Sequence, residues 1–229
     1  MSKTIRNFKK KEMLLDLKTI ATGSDGNCYV LKSPNGRAII LDCGISFEEI
    51  THNENFPKFS DIDFVFVSHR HSDHSKALKD FKFSGCEIVS YETLEPKMQK
   101  WDIGDWECIT FPVAHNVPNW GIIIKSKETS EKLCYVTDFT SMPKIEGINY
   151  FLYEVNYIES LIEEFIDAGV ELKHYGFVNH NSLEKTIEYF ESLNTRPEKI
   201  FCCHLSSHHS ERKTIKEQMI GLADEIIIL

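Results

Sequence analysis

The sequence predicts an α/β protein whose sheets are covered by helices on their outer faces, and three observations carry that expectation. Short apolar runs bounded by turn residues recur through the first part of the chain. Later stretches switch to helical spacing: Ile158, Leu161, Ile162, Phe165 and Ile166, then Leu183, Ile187, Phe190 and Leu193. Further apolar runs lie between and after those helices, so strands and helices interleave in both halves.

The elements follow in order. Residues 15–21 read as a strand, Thr22-Gly23-Ser24-Asp25-Gly26-Asn27 as a turn and residues 28–32 as a second strand. Pro34-Asn35-Gly36 marks a hairpin turn, and residues 37–42 form a buried strand that stops at Cys43-Gly44. The loop 46–57 is short for a full helix. A strand at 64–68 leads into a short helix over about 75–81 and a strand near 87–90. Residues 106–113 form a strand running towards His115, and 121–126 pairs with 132–137 as a hairpin. Apolar strands are expected at 150–153, 200–203 and 226–229. The second late helix opens at Asn181 with Glu184 three residues on, as in a capping box. No low-complexity tract, short-period repeat or linker interrupts the chain, so residues 1–229 are read as one domain.

Composition narrows the function classes. At 229 residues, 41% of them hydrophobic, the chain can bury a substantial core. No stretch approaches the roughly 18 apolar residues of a membrane span, and no membrane partner is expected. The opening residues lack the apolar region of a secretory signal. Seven cysteines, an odd number without CxxC spacing, fit structural thiols in a reducing cytoplasm. Adjacent Cys202 and Cys203 would face opposite ways on a strand and make poor joint ligands. The formal charge of -9 advertises no basic face, so a long duplex footprint is not expected. Lys9-Lys10-Lys11 reads as a solvated N-terminal segment.

One segment points to chemistry. Ser68-His69-Arg70-His71-Ser72-Asp73-His74 follows directly on the apolar run Phe64-Val65-Phe66-Val67 and aims three imidazoles and a carboxylate out of a strand end. Borderline divalent ions bind imidazole nitrogen and carboxylate oxygen, and a second ion beside the first needs its own set. On strand alternation His69 and His71 share a face, while Asp73 and His74, after a turn, point elsewhere. His115, Asp138 and His204 each close another apolar strand. Together these residues make two sets: His69, His71 and His115 for one ion, Asp73, His74 and His204 for the other, with Asp138 bridging. Two divalent ions, Zn or Mn, are therefore expected.

With those residues in place, the chain resembles the metallo-β-lactamase fold superfamily over nearly its whole length. That resemblance implies an αββα sandwich of two mixed β-sheets flanked by helices. It also implies that Asp42, in Leu41-Asp42-Cys43-Gly44, supports the ligand loops. Gly23-Ser24-Asp25-Gly26-Asn27-Cys28 resembles a turn of the YycJ/WalJ exonuclease group. His204-Leu205-Ser206 resembles motifs of that group and of tRNase Z, and so does His180-Asn181-Ser182. Glu154 falls where those enzymes carry a glutamate paired with that histidine.

The resemblance implies a dinuclear metal-dependent phosphodiesterase or nuclease acting on DNA or RNA. Asp73 would be a ligand that also orients the attacking water. His180 would be the general acid, oriented by Glu154, with Ser206 and His208 touching substrate phosphate. Expected partners are a phosphodiester substrate, nucleic acid or nucleotide, and a homodimer is admitted. Alternatives are hydrolysis of cyclic nucleotides or other small phosphodiesters, hydrolysis of a thioester, lactone or β-lactam, and a non-catalytic metal-binding protein.

Overall fold

Alternation along the strands sorts the core into three layers. The computed structural model describes residues 13–167 and 179–229, with the backbone alone for 164–167. Lys9-Lys10-Lys11 and the side chains of Phe165 and Ile166 lie outside the described residues. Strands β1 (Asp16–Ala21), β2 (Cys28–Lys32), β3 (Ala38–Leu41), β4 (Ile62–Val67) and β5 (Ile88–Ser90) form one sheet in that order. Its β1-β2-β3 ladder is antiparallel and its β3-β4-β5 ladder parallel. Strands β6 (Gln99–Ile103), β7 (Trp106–Val113), β8 (Asn119–Ser126), β9 (Lys132–Val136), β10 (Tyr150–Glu154), β11 (Lys199–Cys203) and β12 (Glu225–Ile228) form the second, ordered β12-β11-β10-β9-β8-β7-β6. There β9 to β12 are parallel and β6 to β9 antiparallel.

Tyr29, Leu31, Phe64 and Phe66 point inward and meet Trp106, Ile122, Leu133, Tyr135 and Leu152 of the other sheet. Their strand neighbours Cys28, Val30, Val65 and Val67 face the opposite way. Those outward residues are covered by α1 (Phe47–Thr51) and α3 (Leu78–Phe83) through Ile50, Leu78 and Phe81, with α2 (Ser72–Ser75) leading into α3. On the far side, α4 (Glu159–Asp167), α5 (Leu183–Ser192) and α6 (Arg212–Gln218) cover the second sheet, with Ile158, Leu183, Phe190, Ile215 and Met219 against Cys134, Phe151 and Cys202. Fully burying one such large side chain is worth about 1.5–3 kcal/mol. The result is the expected αββα sandwich of mixed sheets. Cys203 faces the inter-sheet core and Cys202 the helical side, as strand alternation requires.

Four local features differ from the sequence reading. β6 lies outside the sequence reading, because an edge strand in which Lys100 and Asp102 alternate with Trp101 and Ile103 offers little apolar run. The loop after Cys43 does hold a helix, short but closed by a reciprocal Ser46–Glu49 capping box. The helix expected over 75–81 is two pieces, so Asp73 and His74 stand on the first turn of α2, and β4 stops at Val67, leaving His69 and His71 in the following loop. The cap of α5 is Ser182, whose Oγ accepts from the Lys185 amide at 3.2 Å. Asn181 instead turns inward and donates to the Glu154 carbonyl. Among the described residues no helix is long and apolar enough to cross a membrane.

Candidate metal centre

The C-terminal ends of β3, β4, β7, β9, β10 and β11 meet along one edge of the sandwich, and each is followed by a polar residue: Asp42, His69, His115, Asp138, Glu154 at the end of β10 itself, and His204. Parallel pairing of β9, β10 and β11 sets Asp138, Glu154 and His204 side by side. Asp42, Asp138 and His204 all have positive φ, at 57°, 52° and 54°. A non-glycine residue adopts that conformation at a cost, which recurs where a side chain is aimed by its surroundings.

The donor atoms converge as two sets, and Asp138, Glu154, His180 and His204 form a third group overlapping the second. His69 Nε2 lies 3.0 Å from His71 Nδ1 and 3.5 Å from Asp138 Oδ2. His115 Nε2 is 3.3 Å from His71 Nδ1 and 3.9 Å from the same Asp138 oxygen. In the other set, His74 Nε2, His204 Nε2 and Asp73 Oδ2 stand 3.2–3.3 Å apart. Asp138 Oδ1 is 3.4 Å from His74 Nε2 and 3.3 Å from His204 Nε2. The two oxygens of Asp138 therefore face different sets.

Two features of this arrangement fit divalent cations. Donors about 2.0–2.1 Å from a tetrahedral ion stand about 3.3–3.4 Å apart, close to most of the spacings seen. Charge gives the second. Asp42, Asp138 and Glu154 are buried with no lysine or arginine paired to any of them among the described residues, and Asp73 beside them is only 23% exposed. Buried carboxylates need compensating positive charge. Among the described residues histidine rings are their cationic partners, and Asp73, Asp138 and Glu154 fall with them in groups whose donor atoms all lie within 4.8 Å.

The imidazoles respond to that field in opposite ways. Burial outweighs everything else at His69, pushed down to about 4, and lowers His71 and His115 as well. This set offers neutral nitrogens ready to bind an ion. Burial also disfavours charge on His74 and His204, but carboxylates win there. Asp138 and Asp42 hold His74 far above the ordinary range, and Asp138, Asp73 and Glu154 raise His204 to about 10. Burial alone would raise the partner carboxyls, yet His204 and His74 keep Asp73 and Asp138 well below the usual range.

The outer ring nitrogens are held too. Asp42 Oδ2 is 2.6 Å from His74 Nδ1 and accepts from Tyr135 Oη at 2.6 Å and Ser68 Oγ at 2.9 Å, while Oδ1 accepts from the Ser68 amide at 2.7 Å. Ser68 Oγ lies 3.0 Å from His69 Nδ1, and the Asn179 carbonyl 3.1 Å from His115 Nδ1. His204 Nδ1 meets Asn156 Nδ2 at 3.0 Å and Glu154 Oε1 at 3.2 Å. Such contacts set ring orientation and leave the inward nitrogen for an ion.

His180 stands at the edge of the second set, its ring stacked on His204 with centroids 5.2 Å apart. Its Nδ1 is 2.6 Å from Glu154 Oε1 and 3.9 Å from Asp138 Oδ1. Burial lowers His180, but Glu154 and Asp138 raise it above its ordinary value. Ser206 and His208 are placed differently. The Ser206 Oγ accepts from the backbone amides of His208 and His209, and His208 is exposed. Among the described residues neither side chain contacts a member of the two metal-donor sets.

The sequence reading places Thr22 and Asn27 in a turn and Gly44 where a strand stops, without giving them contacts in the site. Asn27 accepts from Tyr29 Oη at 2.9 Å and, through its backbone amide, donates to the Asp73 carbonyl at 2.8 Å. Thr22 Oγ1 receives the His204 amide at 3.2 Å. Gly44 packs so closely that a Cβ there would lie 1.6 Å from the Asp73 carbonyl oxygen.

Comparison with known proteins agrees with this architecture. A family model described as anti-Pycsar protein Apyc1 matches residues 19–98. Exodeoxyribonuclease WalJ of Streptococcus pneumoniae is 23% identical over 232 residues, covering 88% of this chain and 86% of that protein. The metallo-β-lactamase fold protein YhfI from Bacillus subtilis superposes with a TM-score of 0.70 at 14% identity, over 94% of this chain and 95% of its own. The short form of human tRNase Z gives 0.61 at 12% identity, over 93% and 95%. The chain has the metallo-β-lactamase fold.

Proposed function

We propose that this chain is a dinuclear metal-dependent phosphodiesterase that cleaves nucleic-acid strands. The observation that carries it is the His180–Glu154 pair, 2.6 Å apart, at the edge of the Asp73, His74, His204 and Asp138 donor set. His69, His71 and His115 would hold one ion and Asp73, His74 and His204 the other, with Asp138 between them. Divalent ions there would supply neutralisation of an anionic ester and a lowered pKa for water.

The protein groups do the rest. His180, kept protonated by Glu154, donates its proton to the departing oxygen. An alkoxide leaving group needs that proton, whereas an acyl group with a good leaving group does not. Asp73 orients the attacking water, and Asp42 holds His74 through its Nδ1. Similarity to WalJ along most of the chain, and to tRNase Z in fold, supports nucleic acid as the substrate class.

A second reading, small phosphodiesters such as cyclic nucleotides, is favoured by the -9 charge, because such a substrate asks for few cationic contacts. The experiment is a screen of the Zn- and Mn-loaded protein against single-stranded DNA, RNA, cyclic mononucleotides and bis-nitrophenyl phosphate. Turnover of strands together with the chromogenic ester is expected. Turnover of cyclic mononucleotides with none on any strand rejects the nuclease reading, and inertness towards every phosphodiester rejects both.

A further inference from the structure

The -9 charge is unevenly spread around this centre. Arg70, between His69 and His71, is exposed, and Lys76, Lys79 and Lys82 follow at three-residue intervals, all exposed. Lys79 and Lys82, three apart on α3, are neighbours on its surface. The inward positions, Ala77, Leu78 and Phe81, pack beneath with Val65 and Val67, so the core fixes which way the lysines face. The stripe ends at Phe83, 91% exposed and the most exposed large hydrophobic among the described residues. Lys76 caps the C-terminal end of α2, and Lys79 to Lys82 on α3 spans about 4.5 Å at about 1.5 Å rise per residue.

These cations are little neutralised. Lys82 pairs with Glu92, but Arg70, Lys76 and Lys79 have no carboxylate within ion-pair distance among the described residues. Glu49 of α1 lies near Lys76, yet its carboxylate is taken by the Ser46 amide and hydroxyl. Asp80 is the single exposed carboxylate of α2 and α3. Lysines on a helix surface need no ligand to be solvated. What sets these apart is their position, beginning inside the loop that carries His69 and His71 and ending at a bare aromatic ring.

We propose that Arg70, Lys76, Lys79, Lys82 and Phe83 form a track for one nucleic-acid strand leading away from the metal centre. The cations contact successive phosphates and Phe83 stacks on a base. The inference rests on the phosphodiesterase reading for its choice of partner. A single line of cations suits one backbone, and an exposed ring can stack only on an unpaired base, so the ligand is single-stranded.

The test is the affinity of the full chain for a fluorescent phosphorothioate oligothymidylate, followed by anisotropy against salt. Lys79→Glu and Lys79→Gln/Lys82→Gln should weaken binding and shrink the salt slope by about 0.7 for each phosphate no longer neutralised. Phe83→Ala should weaken binding roughly 5- to 100-fold with the slope unchanged. Lys127→Glu, the same charge change in the β8–β9 turn at the opposite end of β9, should bind like the parent. All variants should cleave bis-nitrophenyl phosphate as the parent does. Equal losses for Lys79→Glu and Lys127→Glu overturn the track, as does affinity for phosphatidylserine vesicles with none for the strand. Failure to bind any strand overturns it whatever the ester assay gives. A strand-binding chain inert towards the ester keeps the track and sinks the catalytic reading.

Discussion

His180 Nδ1 lies 2.6 Å from Glu154 Oε1, with the Glu154 side chain fully buried and His180 18% exposed. The same oxygen is 3.2 Å from His204 Nδ1, so one carboxylate orients both a ring of the second donor set and the ring beside it. That sharing ties His180 to the second set of the candidate centre.

His180→Ala should therefore keep its metals while losing turnover. On strands, with poor alkoxide leaving groups, the loss expected of a missing general acid is about 10²–10⁴-fold. Bis-nitrophenyl phosphate, whose leaving group needs little protonation, should be affected far less. Equal losses on both substrates would remove His180 from the acid role. Glu154→Gln should follow the same pattern, since an amide cannot hold His180 protonated.

Asp138 and His71 separate the two sets. Asp138 sends Oδ2 towards His69 and Oδ1 towards His74 and His204, whereas His71 meets only the first set. Asp138→Ala should lower the content of both ions, and His71→Ala that of one. Elemental analysis of carefully dialysed protein reads this directly. Identical stoichiometry in the two variants would contradict a bridging carboxylate.

The raised histidines give the metal-free protein a pH signature. A His204 held at about 10 by carboxylates, against burial, contributes stability fully present below its ordinary 6.5. That contribution fades as pH rises through about 10, and His74, also raised, acts in the same direction. Asp73 and Asp138 are depressed, so their share is present above ordinary carboxyl values and fades in acid. The chelated protein should melt lower at about pH 9 than at about pH 6, while the loaded protein changes little over that interval. Ion uptake should release protons, and calorimetry in buffers of different ionisation enthalpy measures them. Uptake without release would contradict protonated rings at these positions.

Much of the centre was legible because each donor follows an apolar run. His69, His115, Asp138 and His204 stand where a buried strand gives way to polar residues, a pattern visible without coordinates. What stayed hidden depends on backbone conformation and on long-range approach. Positive φ at Asp42, Asp138 and His204 carries no glycine signature. Tyr135 looks like any core aromatic until its hydroxyl is found on Asp42, 93 residues away in sequence. Asn156 follows a strand end as an ordinary turn residue would, yet its amide lies against the ring and carbonyl of His204. The α5 boundary was displaced by one residue because Asn181 spends its side chain on Glu154 and Thr186, leaving the cap to Ser182.

Gly44 offers the last test, through steric fit alone. The Gly44 amide donates to the Asn27 carbonyl at 2.8 Å, and the Cys43 amide to the His74 carbonyl at 2.9 Å, which lays this turn directly against the loop carrying Asp73 and His74. A methyl group would meet Asp73 backbone atoms at 1.6 and 2.1 Å and the His74 nitrogen at 2.7 Å. None of these atoms is a flexible side-chain end that could swing aside, so the backbone itself must move. Overpacking of this kind typically costs about 1–3 kcal/mol. Because Asp73 and His74 belong to the second set and His69, His71 and His115 do not, the damage should be uneven. Gly44→Ala should lose the second ion preferentially and keep much of the first, with a lowered melting temperature. Wild-type metal content and stability in Gly44→Ala would show that the turn does not hold the ligand loop. Loss of both ions equally would mean that the two sets are less independent than the division of Asp138 between them implies.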